Sequence, residues 1–135
     1  MNFLGITAAA TAFLSIWIGH VAVRKIEANA LDIRKPMIPL ILAGLAVEYA
    51  SLVVGNILLA SALGIIGVTL LWDALELYRQ EKRIKHGHAP ANPNNPRHAK
   101  ILAEYPAATT LDLLKREPVG RAVSPEEAPK LITDH

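Results

Sequence analysis

Residues 3–23 read FLGITAAATAFLSIWIGHVAV, an unbroken run without a formal charge. Wound into an α-helix at about 1.5 Å per residue, such a run covers the ~30 Å hydrocarbon core of a bilayer. Two further stretches have the same character. Residues 37–54, MIPLILAGLAVEYASLVV, hold one carboxylate, Glu48, and residues 57–77, ILLASALGIIGVTLLWDALEL, stay uncharged until Asp73 and Glu76. Only Gly55-Asn56 separates the second run from the third, so these two are expected to form a tight helical hairpin. The fold class that follows is all-α: three transmembrane helices and an extended, mostly irregular C-terminal tail.

The composition divides at about residue 78. Residues 1–78 contain nearly all the long apolar runs of a chain that is 52% hydrophobic, and residues 79–135 contain seven of its nine prolines. The second part is too polar to build a core alone. It reads as a basic juxtamembrane segment followed by a docking tail. A cleaved signal peptide is the competing interpretation of the first span, since Ala28-Asn29-Ala30 has a small-x-small form. Against it, no Lys or Arg precedes the run, and Arg24-Lys25 directly follows it, which is a stop-transfer flank.

Charge placement orients the spans. All fourteen Lys and Arg residues fall in the 24–36 loop (Arg24, Lys25, Arg34, Lys35) or from Arg79 onward. With three spans these two regions share one side, and the positive-inside rule puts that side in the cytoplasm and the N-terminus outside. Trp17 and Trp72 fall near the cytoplasmic ends, where an aromatic belt would hold them. A net charge of +2 is too small to suggest a nucleic-acid partner, and the absence of cysteine removes disulfides and thiolate chemistry.

Within the spans, Gly5, Ala9, Ala12, Ser15, Gly19, Gly44, Ala60, Gly64 and Gly67 suit close helix approach. Glu48 is the costliest residue, on the order of 3 kcal/mol at such depth unless paired or protonated. It reads as a neutral acid bonded to a nearby hydroxyl such as Ser51, Ser61 or Thr69. The alternatives are proton relay, ion coupling or subunit contact. His20, near the cytoplasmic end of span one, can meet Asp73 or Glu76 at the same end of span three. Glu48, His20, Asp73 and Glu76 are thus the candidate intramembrane polar site. Bis-histidine haem would need a second intramembrane His, so haem, like quinone, is expected only with another subunit.

In the juxtamembrane segment YRQEKRIKHGHAP, Arg79, Lys82, Arg83 and Lys85 suit anionic head groups at about 1 kcal/mol each. His86, His88 and His98 lack the further ligand that a metal site requires. Pro90, Pro93 and Pro96, with Asn92, Asn94 and Asn95 between them, point to an extended run. Thr109 or Thr110 can cap a short helix over 111–117, and Ser124-Pro125 has the form of another helix start.

Together these features resemble an uncharacterised family of small prokaryotic multi-span integral membrane proteins. The resemblance covers about residues 2–97. It is carried by Asn2-Phe3, Gly5-Ile6, Gly19-His20, Val23, Lys25, Glu27, Ser51-Leu52, Leu63-Gly64, Gly67, Leu71-Trp72, Glu76-Leu77, Gln80, Lys82-Arg83, Lys85, Gly87, Pro90, Asn92-Pro93 and Arg97. It implies a membrane protein and marks His20, Glu27, Trp72 and Glu76, without supplying a chemistry.

No nucleophile–base pair, phosphate-cradling loop or complete metal constellation is legible, so the expectation is a non-catalytic membrane subunit with no catalytic residue and no cofactor of its own beyond bound lipid. It would anchor or scaffold a larger assembly, a redox or bioenergetic complex being the first expectation, and its tail would bind a soluble partner. The rivals are a homo-oligomeric transporter or channel using Glu48, and an adaptor holding anionic lipid. The expected setting is the prokaryotic cytoplasmic membrane.

Overall fold

The computed structural model describes residues 2–112. They form four helices: α1 (Leu4–Asn29), α2 (Arg34–Val53), α3 (Ile57–Lys85) and α4 (Pro96–Glu104). The first three are long and apolar enough to cross a membrane. Ile6, Phe13, Trp17, Leu42, Leu52 and Ile57 all point outward. Water would penalise such a surface, whereas lipid accepts it.

The central helix is α3. It packs against α1 and α2, which hardly meet each other. Residue pairings give the directions. Ser15 meets Thr69, and Gly19 meets Asp73, so α1 and α3 run parallel. Ser51 lies by Gly64, Glu48 by Gly67 and Gly44 by Leu71, so α2 and α3 are antiparallel. The hairpin between α2 and α3 is as tight as its two-residue punctuation suggests, because Asn56 caps α3: its side chain accepts hydrogen bonds from the Leu58 and Leu59 amides at 3.0 and 3.1 Å.

The change in polarity at residue 78 is no break in the chain, since α3 continues to Lys85. It ends at Gly87, whose φ of 73° is the left-handed conformation that lets the His88 amide bond back to Arg83 O and the Gly87 amide to Ile84 O. A Cβ there would collide with Ala107 O. The segment that follows is irregular apart from α4, but it does not run free. It folds back beneath the spans, with the Ala91 amide donating to Thr109 O at 2.8 Å. Pro96 begins a helix here instead of forbidding one. At the first helical position its missing N–H costs nothing, and Asn95 caps the turn by accepting from the Arg97 amide at 2.9 Å.

A small core results that the sequence reading did not grant this segment. Ile84 of α3 supplies the platform on which Ala89, Ala91 and Ile101 are buried, with Leu102 and Ala108 at its edge. Burying the two isoleucines contributes about 1.5–3 kcal/mol each. The tail lacks a core only when considered without α3. Of the short helices expected further on, the one over 111–117 lies almost wholly, and the one from Ser124 wholly, outside the described residues.

Candidate functional site

The most heavily buried polar cluster lies where the ends of α1 and α3 meet this cap. Glu27 is 1% exposed and His98 is fully buried. Arg97, on the first turn of α4, reaches into the cluster with its whole guanidinium. Nη2 donates to Glu27 Oε1 at 2.7 Å and to the Glu27 carbonyl, Nη1 donates to Glu81 Oε2 at 2.7 Å, and Nε donates to Ala30 O at 3.0 Å. Lys85 Nζ adds a contact of 2.6 Å to the other oxygen of Glu81, so two carboxylates meet two cations. Asn92 and Asn95 both donate to Ala28 O, and Asn95 also to Ala30 O. The α1 carbonyls left without helical partners are thereby satisfied by the cap.

His98 has its tautomer set by neighbours. The Asn92 amide donates to Nδ1 at 2.8 Å, so the ring proton belongs on Nε2, which donates to Glu27 Oε1 at 3.1 Å. That same oxygen thus accepts from both Arg97 and His98. The cluster contains no open position, so its chemistry is that of a lock.

Inside the spans, the two predicted carboxylates share a geometry. Glu48 of α2 lies on Gly67 of α3, where an added Cβ would come within 2.8 Å of Oε1. Asp73 of α3 lies on Gly19 of α1, where a Cβ would come within 2.5 Å of Oδ2. Glycine here makes room for a carboxylate. Two of the hydroxyls expected to partner Glu48 are engaged elsewhere: Ser51 Oγ donates to the Glu48 backbone carbonyl at 2.7 Å, and Thr69 Oγ1 donates to Ile65 O at 2.7 Å.

His20 and Asp73 flank one groove, but no hydrogen bond or ion pair joins them among the described residues. Glu76 pairs with arginines of its own helix, and no hydrogen bond or ion pair to His20 occurs among the described residues. Glu76 is 4% exposed and lies against Arg83, with Arg79 Nε at 3.5 Å. The basic cluster meant for lipid is thus largely engaged within the chain. Arg79 also covers the Trp72 ring, Lys82 the Tyr78 ring and Lys85 the Tyr105 ring. Among the described residues no three His, Cys, Asp or Glu side chains gather as metal ligands. His98 in particular is sequestered by Glu27, away from His86 and His88.

The chain matches a family model, a domain of unknown function (DUF4491), over residues 2–95, which take in all three apolar spans. The chain belongs to this family. No curated protein and no solved structure matches it. The matched region contains Glu27, Glu81, Asn92 and Asn95 and stops two residues short of Arg97.

Glu27, Asn92 and Arg97 stood among the residues carrying the resemblance, yet nothing in their spacing announced a shared site. Glu81 was passed over entirely. One local signal was available: Asn95-Pro96 is a helix cap followed by a first-turn proline, which would have placed Arg97 and His98 on a helix start.

Proposed function

We propose that this chain is a non-catalytic membrane subunit that anchors or scaffolds a larger assembly, with its C-terminal residues engaging a soluble partner. The observation that carries this reading is the Glu27–Arg97–Glu81 lock. With Asn92 and Asn95 it ties the start of α4 to the ends of α1 and α3, which is how a docking segment can be presented in a fixed direction from the membrane. Chemistry, on this reading, belongs to other subunits. The test is purification in mild detergent of the full chain and of one ending at Asp112. A different polypeptide should co-elute with the full chain in fixed ratio and be lost from the shorter one. A pure homo-oligomer in both preparations would overturn the reading and favour a transporter in which Glu48, without a hydrogen-bond donor among the described residues, lines the path. The lipid-adaptor reading is weakened by the internal pairing of Arg79, Arg83 and Lys85.

The orientation proposed is N-terminus outside and cap in the cytoplasm of a prokaryote, because Arg24, Lys25, Arg34 and Lys35 lie at the same end as the cap. With no native cysteine, labelling is free of background. A cysteine at Gly55, which is exposed and has open space around it, should react with an impermeant reagent from outside, and one at Asn94 should not. The reverse pattern would invert the topology.

A further inference from the structure

A groove of about 340 Å³ opens towards the membrane between α1 and α3, lined by Ile16, His20, Val68, Thr69, Trp72 and Asp73. His20 precedes Arg24 by one helical turn, and Asp73 precedes Leu77 by one, so both sit about 6 Å inside the polar boundary. His20 is exposed and Asp73 half-buried, and among the described residues no hydrogen bond reaches either. Polar side chains at that depth, next to hydrocarbon, are costly unless something bonds to them. Thr69 does not, because its hydroxyl is turned to Ile65 O and, at 3.4 Å, Ser15.

The walls say what fits. Ile16, Val68 and Trp72 make an apolar slot suited to a ring, with the Arg79 guanidinium 5.4 Å from the Trp72 ring centroid. At its end stand an imidazole that donates or accepts and a carboxylate that accepts. No Lys or Arg lines the groove, and Arg79, over the Trp72 ring, is already paired with Glu76 at 3.5 Å, so a phosphate head group finds no unpaired counter-charge in it. We propose that the groove takes a membrane-soluble ring edged with carbonyl or hydroxyl groups, the quinone and quinol class, with His20 and Asp73 bonding its polar edge. Binding alone is inferred, and it stands whether or not the chain anchors an assembly.

The chain has two tryptophans, so Trp17→Phe leaves Trp72 as a reporter inside the groove. In nanodiscs of fixed lipid composition, decylubiquinone should quench Trp72 fluorescence saturably in this background. His20→Leu and Asp73→Ala should each weaken the apparent affinity about tenfold, as loss of one hydrogen bond to a polar or charged group implies. Quenching that rises linearly with quinone mole fraction would overturn the proposal from the unsubstituted chain alone, whatever the variants do to folding. So would a phospholipid retained in fixed ratio through purification and lost from Asp73→Ala, since the groove would then belong to a lipid.

Discussion

Arg97→Ala should release the cytoplasmic cap while the three spans remain inserted. The substitution removes donors to Glu27, Glu81 and Ala30 at once. Glu27, at 1% exposure, is left as a buried carboxylate facing only His98. Stranding one partner of a buried pair costs about 3–5 kcal/mol, which is comparable to what the small Ile84–Ile101 core returns. Amide protection in α4 should therefore fall about a hundredfold or more by hydrogen exchange, with α3 amides near Thr69 unchanged. Arg97→Lys should fail almost as badly, because an ammonium cannot address Ala30, Glu27 and Glu81 from one planar fork. Replacing both partners, Glu27→Leu with Arg97→Met, should recover much of the loss by removing the stranded charge. Unchanged α4 protection in Arg97→Ala would mean that the cap is held by its apolar contacts and that the ion cluster is incidental.

The spans were legible because bilayer thickness imposes a length and a polarity that few other demands would produce together. Their boundaries were less so. Helix α1 extends to Asn29, six residues past the apolar run, and α3 to Lys85, because helix continues wherever its backbone finds partners, irrespective of where lipid ends. Glu48 was recognisable as an expensive residue, Asp73 as a candidate polar one, and Gly19 and Gly67 as close-packing ones. What could not be read was that each carboxylate is laid on one of those glycines, since that pairing depends on the register between helices. The lock was harder still. Its members come from Glu27, Glu81 and Arg97, far apart in sequence, and the ion pairs form only after the chain turns at Gly87 and α4 starts at Pro96. Local cap chemistry pointed to α4, and no local pattern could say that its first turn faces the end of α1.

The register between α2 and α3 has its own test, in the pairing of Glu48 with Gly67. A methyl group at Gly67 would stand 2.8 Å from Glu48 Oε1, 2.9 Å from Cγ and 3.0 Å from Cδ, so the Glu48 side chain must give way along its length. Gly67→Ala should destabilise the α2–α3 hairpin by about 1–3 kcal/mol, the usual range for overpacking. Glu48→Ala alone opens a gap at the same place. In the double variant the new methyl occupies the space the carboxylate left, so the two effects should couple by about 1 kcal/mol or more. The cycle is read from reversible unfolding in mixed micelles. Strict additivity would show that Glu48 and Gly67 do not meet. Glu48→Gln serves as the charge control, because it keeps the shape that rests on Gly67 and removes the ability to ionise. If Glu48 is a packing residue, Gln should unfold like the native chain and leave co-purification intact. Proton flux in vesicles that the native chain supports and Glu48→Gln abolishes, with stability unchanged, would instead assign the carboxylate to transport, and the glycine beneath it would then be the place where α2 is free to move.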